Sequence, residues 1–567
     1  MSNVDNLRVA RAIDELADLL ELAGENPFKL RAYRNFAETV RELNEPLAEI
    51  AARGDLEGMP GVGKAIEGKV QELLETGTCN ALEKARAKVP ATLPDLLRVP
   101  GLGPKTVRLL WQQADVTTLG ELAYACEENR LAAIPNFGAK KQAKTLAAVT
   151  TILEGTGSIL LGVAREAAAI LTRVLLEAGA KDVVLVADAR RGLALVRDLV
   201  ILVRGRSSVQ IVAALARAEA DCEVLNDAAG ADVTVLVAGV RARVTAVDDA
   251  RWVEALITGT GDEDHVRWLG DRATAHGGLS AVCARAEDEA AAYGTLGLPC
   301  PPPELREGGV QAEIPADLIT NVKGIFHIHS TWSDGSSSIE EMAETAAQAG
   351  YAYIGISDHS QAASYAHGLD ATRLREQSEA IARARREVPS ITILHGVEVD
   401  IMADGSLDLD DSTLSALDFV IASVHTRLVM DAAEMTARIV RAVSHPLVTM
   451  LGHPTGRLLL GRKGYSFDIV RVARAAAEND TYIEINANAH RLDLSDGLAR
   501  RAAAAGARFV INPDAHAPRG IGDTLLGVTM ARRAGLTGEQ VLNALSREDL
   551  VQALAKRKKK GLARLRQ

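Results

Sequence analysis

The sequence predicts three kinds of architecture in one chain: helical modules at the N-terminus, an α+β unit in the middle and a parallel α/β barrel at the C-terminus. A length of 567 residues exceeds what one hydrophobic core organises, so we expect several domains. The first 150 residues read as short helices separated by Pro-Gly turns, without sustained period-2 alternation. From residue 316 onward, apolar strands alternate with amphipathic helices, which is typical of parallel strands covered by helices.

The C-terminal part contains seven strand-like segments: GIFHIH, AYIGISDH, ITILHGVEV, FVIASVH, VTMLGHP, TYIEINAN and RFVINPDAH. Seven apolar strands with helices between them fit a seven-stranded barrel better than an open sheet. Ser338 and Glu341 form a predicted capping box for the helix after the first strand, and Gly350 is predicted to end that helix.

Changes in composition and pattern give the expected domain bounds. Residues 1–80 and 81–155 are expected to be helical, and strands VVLVAD, DLVILV, ADVTVLV and VRARVTAV place an α+β unit at 156–248. A helical appendage is expected at 249–298. The proline- and glycine-rich stretch around LGLPCPPPELREGG predicts an extended linker outside the core at 299–315, followed by the barrel at 316–567.

The overall composition is that of a soluble globular protein, with 47% apolar and 25% charged residues. No apolar signal core or membrane-spanning stretch is apparent, so the sequence predicts a cytoplasmic protein. Five cysteines without CxxC spacing favour buried, reduced thiols. The net charge of −11 does not exclude a nucleic-acid partner, because local basic patches matter more than the total.

Histidines are concentrated in the predicted barrel, where ten of the twelve fall between His327 and His516. Most of them follow the ends of strands, where barrel active sites are assembled. Imidazole and carboxylate ligands without thiolates indicate a catalytic site for borderline ions such as zinc, manganese or iron. The candidate metal-binding and catalytic residues are His327, His329, Asp334, His359, Glu398, His425, His453, Asp514 and His516. His395, His445 and His490 lack this pattern and are interpreted as core or surface residues.

The motifs HIHSTWSDG, SDHS, GVEVD, SVH, GHP and NPDAH resemble those of the PHP (polymerase and histidinol phosphatase) family. The resemblance implies a distorted barrel that holds three divalent ions, with Mn²⁺ or Zn²⁺ expected. It implies that Glu398 is shared by two ions, one also bound by His327, His329 and Asp514 and the other by His425 and His453. The third ion is then bound by Asp334, His359 and His516. Asp358 is expected to orient a ligand imidazole, and His367 to contact substrate phosphate.

Clustered divalent ions generate hydroxide near neutral pH and neutralise charge on a phosphoryl group. Hydrolysis of phosphate esters is therefore the expected reaction. The barrel sequence alone leaves open whether the substrate is DNA or a small metabolite.

The N-terminal region repeats one form three times, in MPGVGKAIEGKV, VPGLGPKTVRLL and IPNFGAKKQAKTL. These segments resemble helix-hairpin-helix elements, whose turns present backbone amides to DNA phosphates without reading base sequence. The candidate DNA-binding residues are Gly61, Gly63, Lys64, Gly101, Gly103, Lys105, Gly138 and Lys140, with Lys141 adjacent.

Together with NPFKLRAYRNFAETV, the order of these elements resembles bacterial family X DNA polymerases that carry a C-terminal PHP domain. The resemblance implies a DNA-end-binding domain, fingers, a nucleotidyltransferase-like palm, a thumb and a nuclease. Lys69 occupies the place of a lysine that forms a Schiff base with deoxyribose 5-phosphate in relatives. An ordinary solvated helix lysine is the alternative interpretation.

The family's palm carries Gly-Ser, a pair of arginines, Gly-Asp-x-Asp and a third aspartate. The segment VADARRGLALVRDLVILV retains Arg190, Arg191 and Asp198 but has Val200 at the second carboxylate position. The third carboxylate position falls on Arg243. A cation there opposes Mg²⁺ binding, so we expect polymerase activity to be weak or absent. A shifted alignment that uses Asp232, Asp248 or Asp249 is the alternative.

The sequence therefore predicts a metal-dependent 3′–5′ exonuclease or 3′-end phosphoesterase acting on gapped or nicked DNA, in DNA repair such as base excision repair. DNA bound without sequence preference is the expected partner, and no membrane association is expected. The alternatives are a functional gap-filling polymerase, a DNA-end-binding scaffold with lyase activity through Lys69, and a phosphatase for a small metabolite.

Overall fold

The computed structural model describes residues 5–43, 45–59, 62–131, 134–135, 137–154, 157–218, 222–226, 230–308 and 314–566. The chain divides into two compact units, Met1–Thr150 and Thr151–Gln567. Among the described residues, no helix has both the length and the apolar character that crossing a membrane requires.

The first unit is helical throughout its described residues, as the sequence predicts. Its core includes Ile13, Leu16 and Phe36, which are fully buried. Side-chain caps begin several helices, for example Asp5, which accepts a hydrogen bond from the Arg8 amide. The helices are α1 (Asn6–Leu22), α2 (Pro27–Glu42), α3 (Leu47–Arg53), α4 (Lys64–Thr76), α5 (Asn80–Arg86), α6 (Pro104–Ala114), α7 (Leu119–Glu127) and α8 (Ala139–Glu154).

The second unit begins with an α+β region built on a five-stranded sheet. The sheet has the order β2-β4-β7-β6-β5, in which β4 and β7 are parallel and the other pairs are antiparallel. The elements are β1 (Ile159–Leu160), α9 (Leu161–Glu177), β2 (Asp182–Leu185), α10 (Ala187–Arg191), β3 (Leu195–Val196), β4 (Leu199–Arg204), α11 (Ser208–Arg217), β5 (Cys222–Val224), β6 (Asp232–Val237) and β7 (Val240–Val247). The four predicted strands are confirmed, whereas the three-residue β5 was too short to show a pattern.

A small helical region follows this sheet, as predicted. Its core joins Ile257, Leu269, Val282 and Tyr293. The helices are α12 (Trp252–Thr260), α13 (Glu263–Ala273), α14 (Leu279–Cys283) and α15 (Glu289–Thr295).

The proline-rich stretch is not simply a peripheral linker, so that expectation is wrong in part. Arg306 is 2% exposed and donates hydrogen bonds to the Pro301 carbonyl and to Glu289. Glu304 forms an ion pair with Arg532 of the barrel region. Burial is tolerated because the charged groups are paired, which the proline content of the sequence does not reveal.

The remaining residues form a parallel barrel with helices between its strands. The elements are β8 (Gly324–Ile328), α16 (Ile339–Gln348), β9 (Tyr353–Ile356), α17 (Ala371–Glu387), β10 (Thr392–His395), β11 (Glu398–Asp400), α18 (Asp411–Ala416), β12 (Ile421–Ser423), α19 (Ala432–Val443), β13 (Met450–Leu451), α20 (Ile469–Glu478), β14 (Tyr482–Asn486), α21 (Asp496–Ala504), β15 (Phe509–Asn512), α22 (Thr524–Arg533) and α23 (Arg547–Leu565). The predicted capping box of Ser338 and Glu341 is present, and Gly350 follows α16 with a φ of 87°.

The predicted seven-stranded barrel is confirmed, with a distortion in its third strand. That strand is interrupted at Gly396 and Val397, so that β10 pairs with β9 while β11 pairs with β12. A side chain at position 396 would collide with the Phe419 ring, because a Cβ built there lies 2.4 Å from it. The other strands are paired in chain order from β12 to β15.

The first and last strands close the ring through one bridge, Ile328 to Ala515, and through two buried asparagines. Asn512 accepts a hydrogen bond from the Phe326 amide. Asn543 donates to the carbonyls of Gly324 and Ile511 and accepts from the Ile511 amide. Side-chain amides therefore replace part of the ladder between β8 and β15.

Replacing Asn543 with leucine should destabilise the second unit by roughly 2 to 4 kcal/mol, because three buried backbone groups lose their partner. The measurement is the midpoint of thermal unfolding, which should fall by several degrees. The control variant is N80L, because Asn80 is exposed at the start of α5 in the other unit. Equal effects of the two substitutions would contradict a closing role for Asn543.

Candidate metal centre

All nine residues predicted as metal ligands lie together inside the barrel. His327, His329 and Glu398 are fully buried, and the least buried side chain, His425, is 9% exposed. Their ligand atoms form overlapping groups within 4.8 Å: His329 with Asp334, His359 and His516; His327 with His453 and Asp514; His327 with His329 and Glu398; and His359 with Glu398 and His425. The sequence prediction therefore identified side chains that the fold brings together.

Three of these residues have left-handed backbone conformations. The φ angles are 57° at His327, 21° at His453 and 53° at Asp514, which are unfavourable for residues with a Cβ. In β8 the pairing register shifts between Ile325 and Ile328. His327 and His329 face the same site, as expected, but an irregularity of the strand and not simple pleating directs them there.

Glu398 lies at the centre of the cluster. Its Oε1 is 2.9 Å from His453 Nε2, 3.1 Å from His327 Nε2 and 3.3 Å from His425 Nε2. Its Oε2 is 2.9 Å from His359 Nδ1 and 3.7 Å from His329 Nε2. Glu398 lies in the third predicted strand segment, ITILHGVEV, and begins β11 after the interruption at Gly396 and Val397.

Asp334 organises a second part of the cluster. Its Oδ1 lies 3.4 Å from His516 Nε2 and 3.9 Å from His329 Nδ1, and its Oδ2 lies 3.5 Å from His359 Nε2. His329 Nε2 is also 3.4 Å from Asp514 Oδ1. His329 therefore stands between two groups, whereas the family resemblance implied a place in only one.

The cluster has the properties of a divalent-metal site. Among the described residues, several of its buried atoms have no hydrogen-bond partner: Nε2 of His327, both ring nitrogens of His329, Oδ2 of Asp334, Nδ1 of His359, Oε2 of Glu398 and Nδ1 of His453. Leaving so many buried polar atoms without partners is costly unless an ion satisfies them. The imidazole and carboxylate donors fit a borderline divalent ion.

Electrostatics inside the cluster favour ionised carboxylates at Asp334 and Glu398. Burial raises the pKa of Asp334, but His359 and His516 hold it well below its usual value. For Glu398, His327 and His425 likewise outweigh burial and hold the pKa well below the ordinary range. Both carboxylates are therefore charged and able to bind a cation.

The histidines respond differently according to their neighbours. Burial and the neighbouring His516 and His359 lower the pKa of His329 to about 3. Burial also lowers the pKa of His425, but Glu398 and Asp400 outweigh it and raise the value to about 10. His329 is consequently a neutral imidazole, in which one ring nitrogen keeps its proton and the other is able to bind a cation.

Sequence reasoning missed the side chains that hold the ligands in place. Glu484 Oε1 accepts a hydrogen bond of 2.6 Å from His327 Nδ1, and its Oε2 accepts one from the His453 amide. Asp400 Oδ1 lies 3.1 Å from His425 Nδ1. Arg491 Nε lies 3.2 Å from Asp514 Oδ2. A charged residue between isoleucines in TYIEINAN was the available signal for Glu484.

Asp358 does not orient a ligand imidazole, so that prediction is wrong. It accepts hydrogen bonds from the Ser330 amide and hydroxyl, from Ser333 and from Gln377. Its carboxylate therefore anchors the turn after β8. The adjacent His359 made the expectation plausible, but successive residues face opposite directions.

The other barrel histidines lie outside the cluster, in agreement with the prediction. His395 Nε2 lies 3.1 Å from Gln377 Oε1, and His445 Nε2 lies 3.1 Å from Asp411. The buried His490 donates its amide to Asn488. His367 is exposed at the end of a short 3-10 turn, and its contact with substrate phosphate stays a prediction.

The first unit contains the same turn three times. Amides of Val62, Leu102 and Phe137 each donate to the carbonyl three residues earlier. A helix follows at once in each case, with Gly63, Gly103 or Gly138 accepting its first hydrogen bonds. Among the described residues nothing lies within 4 Å of a Cβ built on these glycines, so the helix ends are open to approach. Gly61 lies outside the described residues.

Exposed lysines follow these turns at Lys64, Lys105 and Lys140. Gly101 adopts a φ of 86°, which requires glycine at this point of the second turn. Lys141 lies over the Phe137 ring at 4.8 Å, and Lys69 over the Tyr33 ring at 5.6 Å. The contact with Tyr33 fits a packed helix lysine.

The strand register of the middle sheet supports the alignment of the palm motifs. Val200 pairs with Arg243 on the neighbouring strand, at the end of the sheet where Asp198 precedes β4. Asp232 pairs instead with Thr245, and Asp248 and Asp249 follow the far end of β7. These three carboxylates therefore do not replace the missing pair beside Asp198.

The two palm arginines are occupied by internal partners. Arg190 binds both carboxylate oxygens of Glu289, and Arg191 binds Asp188 at 2.6 Å and the Thr260 carbonyl at 2.7 Å. Burial raises the pKa of Asp188, but Arg197 and Arg191 hold it below its usual value. Asp188 is therefore ionised and neutralises the arginine next to it.

Known families match both ends of the chain. A helix-hairpin-helix domain model matches residues 4–79, a SAM-like helix-hairpin-helix tandem matches 93–147, and a PHP domain model matches 326–488. The DNA polymerase/3′-5′ exonuclease PolX of Bacillus subtilis (strain 168) is 33% identical over 97% of this chain and 99% of that protein. A protein named probable phosphatase from Acetivibrio thermocellus is 31% identical over 34% of this chain and 78% of its own length.

A second protein named probable phosphatase, from Thermoanaerobacter sp. (strain X514), is 33% identical over 28% of this chain and 66% of its own length. The phosphatase matches cover only a part of the chain, whereas the PolX match extends over nearly all of it. The chain therefore belongs to the PolX family, the bacterial family X DNA polymerases with a C-terminal PHP domain.

Proposed function

We propose that this protein is a metal-dependent 3′–5′ exonuclease or 3′-end phosphoesterase that acts on gapped or nicked DNA during repair, and that its polymerase activity is lost. The observation that carries the proposal is the buried cluster around Glu398, where imidazole and carboxylate atoms converge and several buried ligand atoms have no hydrogen-bond partner among the described residues. The name of the Bacillus subtilis relative includes both a polymerase and a 3′-5′ exonuclease.

The cluster offers places for three divalent ions, with Mn²⁺ or Zn²⁺ as the best fit to nitrogen and oxygen ligands. Glu398 would serve two of them, with His327 and Asp514 on one side and His425 and His453 on the other. Asp334, His359 and His516 would serve the third, and His329 lies close enough to join either neighbouring group. When bound, the ions supply an activated water and neutralise charge on the phosphate.

The protein's own contribution is to hold these buried side chains in position inside the barrel. Glu484 holds His327 by its Nδ1, which leaves Nε2 directed toward Glu398. Asp400 does the same for His425. Arg491 lies beside Asp514; burial raises the pKa of that carboxyl, but His327, His329 and Arg491 together hold it well below its usual value. Carboxylates that orient ligand imidazoles in this way raise metal affinity.

DNA is the substrate that the first unit supports. Its three open helix N-termini present amides in the geometry that suits phosphate oxygens, and exposed Lys64, Lys105 and Lys140 add positive charge. Such contacts are independent of base sequence. A small-metabolite phosphatase would have no use for them.

Loss of polymerase activity follows from charges in the middle sheet. Asp198 is the one carboxylate left at its end of β4, because Val200 is apolar and Arg243 is a cation. Within about 4 Å, a cation opposes a divalent ion by several kcal/mol in a partly buried site. Arg190 and Arg191, already bound to Glu289 and Asp188, are also withdrawn from any nucleotide.

Replacing His329 or Asp514 with alanine should lower Mn²⁺-dependent shortening of a 3′-labelled gapped duplex by about a thousandfold or more. Each change removes a ligand from the barrel, whereas DNA binding through the first unit should persist. His445 pairs with Asp411 outside the cluster, so His445→Ala is the matched control and should cleave normally. Persistent cleavage by the His329 and Asp514 variants would refute the assigned site.

Replacing Glu484 with glutamine should weaken metal binding by about 10- to 100-fold, because His327 loses a charged hydrogen-bond acceptor. The Mn²⁺ concentration that gives half-maximal cleavage should rise, and saturating Mn²⁺ should restore much of the rate. Glu344 is exposed on α16, and Glu344→Gln should leave the Mn²⁺ dependence unchanged. An unaltered Mn²⁺ requirement in the Glu484 variant would show that this contact does not support the site.

The Asp514→Ala variant, incubated with a gapped duplex, deoxynucleotides and Mg²⁺ or Mn²⁺, should not extend the primer. The barrel substitution prevents 3′ degradation from hiding extension. The expected absence follows from Val200 and Arg243 at the carboxylate positions. Primer extension under these conditions would show that the middle domain is a working polymerase.

A further inference from the structure

The open face of the middle sheet contains a positively charged cavity. Its volume is about 620 Å³, and its lining includes Arg197, Asp198, Arg241 and Arg243. Three arginines and one aspartate give this group of side chains a formal charge of +2. The cavity is therefore suited to an anion, although the whole chain carries a net charge of −11.

Arg241 and Arg243 lie two residues apart on β7 and share the face of the sheet opposite α9 and α11. Two residues along a strand correspond to a spacing of about 6.6 Å. Within the described part of the chain, neither guanidinium has a hydrogen bond or an ion pair. Arg197 is 77% exposed and shares Asp188 with Arg191, so its charge is only partly offset.

The neighbouring strands neutralise this pair only in part, because Asp198 before β4 is the carboxylate among the lining residues. Arg243 is flanked by Val200 on β4 and by Thr234 on β6, and Arg241 is flanked by Leu236. Apolar side chains, a hydroxyl and Asp198 therefore surround two guanidiniums that have no hydrogen bond or ion pair within the described part of the chain. A planar guanidinium binds phosphate oxygens through paired N–H donors, which makes phosphate the ligand chemistry that this surface fits.

We propose that this cavity binds the phosphodiester backbone of a DNA strand without a metal ion. The proposal rests on the proposed function, in that DNA is the substrate. Two exposed arginines, two residues apart on the same strand, fit the repeated phosphates of a DNA strand better than they fit a single anion. A nucleoside triphosphate is the other source of phosphate, but the nearby Arg190 and Arg191 are bound to Glu289 and Asp188 and are not available to it.

The role of this contact is to hold DNA while the barrel acts. Because guanidiniums bind phosphate directly, the contact persists when divalent ions are removed. A carboxylate site for Mg²⁺ would behave in the opposite way, because its hold on phosphate would disappear with the ion. Whether DNA binding persists without divalent ions therefore distinguishes the arginine site from a carboxylate site for Mg²⁺.

The test is fluorescence anisotropy of a labelled gapped duplex with the full-length protein in EDTA, over a series of salt concentrations. Replacing both Arg241 and Arg243 with glutamine should weaken DNA binding by about tenfold. The slope of log K against log[salt] should become shallower by about 1.4 to 1.8, because each of the two lost phosphate contacts contributes about 0.7 to 0.9. The substitutions are at exposed positions, and unfolding midpoints verify that the variants remain folded.

The matched control replaces Arg474 and Arg501 with glutamine, because both are exposed on outer helices of the barrel and the change in charge is identical. This variant should bind DNA with wild-type affinity and salt slope. Competition with dATP in EDTA should not displace the duplex from the wild-type protein. Displacement that disappears in the Arg241 and Arg243 variant would overturn the proposal in favour of a nucleotide site.

Cleavage of the same duplex in Mn²⁺ is measured in parallel, so that two failures are distinguishable. If the wild-type protein neither binds nor cleaves DNA, the proposed function fails and this inference fails with it. If the wild-type protein binds and cleaves DNA but the double variant retains the full affinity and salt slope, the inference alone is overturned. An equal loss in the control variant would also overturn it.

Discussion

The burial of Glu398 is the constraint on which the barrel depends. Its two oxygens face ring nitrogens of His327, His425, His453, His359 and His329, and no part of the carboxylate reaches solvent. A buried charge is stable only when compensated, so the strands must deliver imidazoles or cations to this point. The interrupted third strand and the left-handed backbone at His327, His453 and Asp514 are the local costs of that arrangement.

The middle domain uses its charges in a different way. Arg191 binds Asp188, while its carbonyl accepts a hydrogen bond from Arg533, a buried residue that also pairs with Glu307 and Asp496. Arg190 is bound to Glu289, and Arg306 forms an ion pair with the same carboxylate. These pairs link the sheet, the proline-rich stretch and the barrel into one unit. Arg190 and Arg191 therefore stabilise the fold through ion pairs, which is consistent with a sheet that lacks two of the three metal-binding carboxylates of its family.

The sequence identified the nine clustered residues because strand ends in a parallel barrel converge, whatever the details of packing. It did not reveal Glu484 or Asp400, since a carboxylate within a strand is identified as an inward-facing partner only when its register is known. The bulge in β8 was equally hidden, because alternation alone also directs His327 and His329 to one side. Asp358 was misassigned because adjacency to His359 says nothing about the direction of its side chain.

Buried and exposed charges have different consequences for DNA binding by this protein. A total of −11 suggests that the protein binds DNA poorly. Acidic groups such as Glu398, Asp334, Asp514 and Glu484, however, are buried in the barrel, where neighbouring histidines offset their charge. The basic residues that matter, among them Lys105 and Arg243, are exposed. Surface potential is set by exposed charge within a Debye length of about 8 to 10 Å, so an acidic protein can still attract a polyanion locally. Divalent ions bound in the barrel would make the net charge of the protein less negative and would further favour the attraction of DNA.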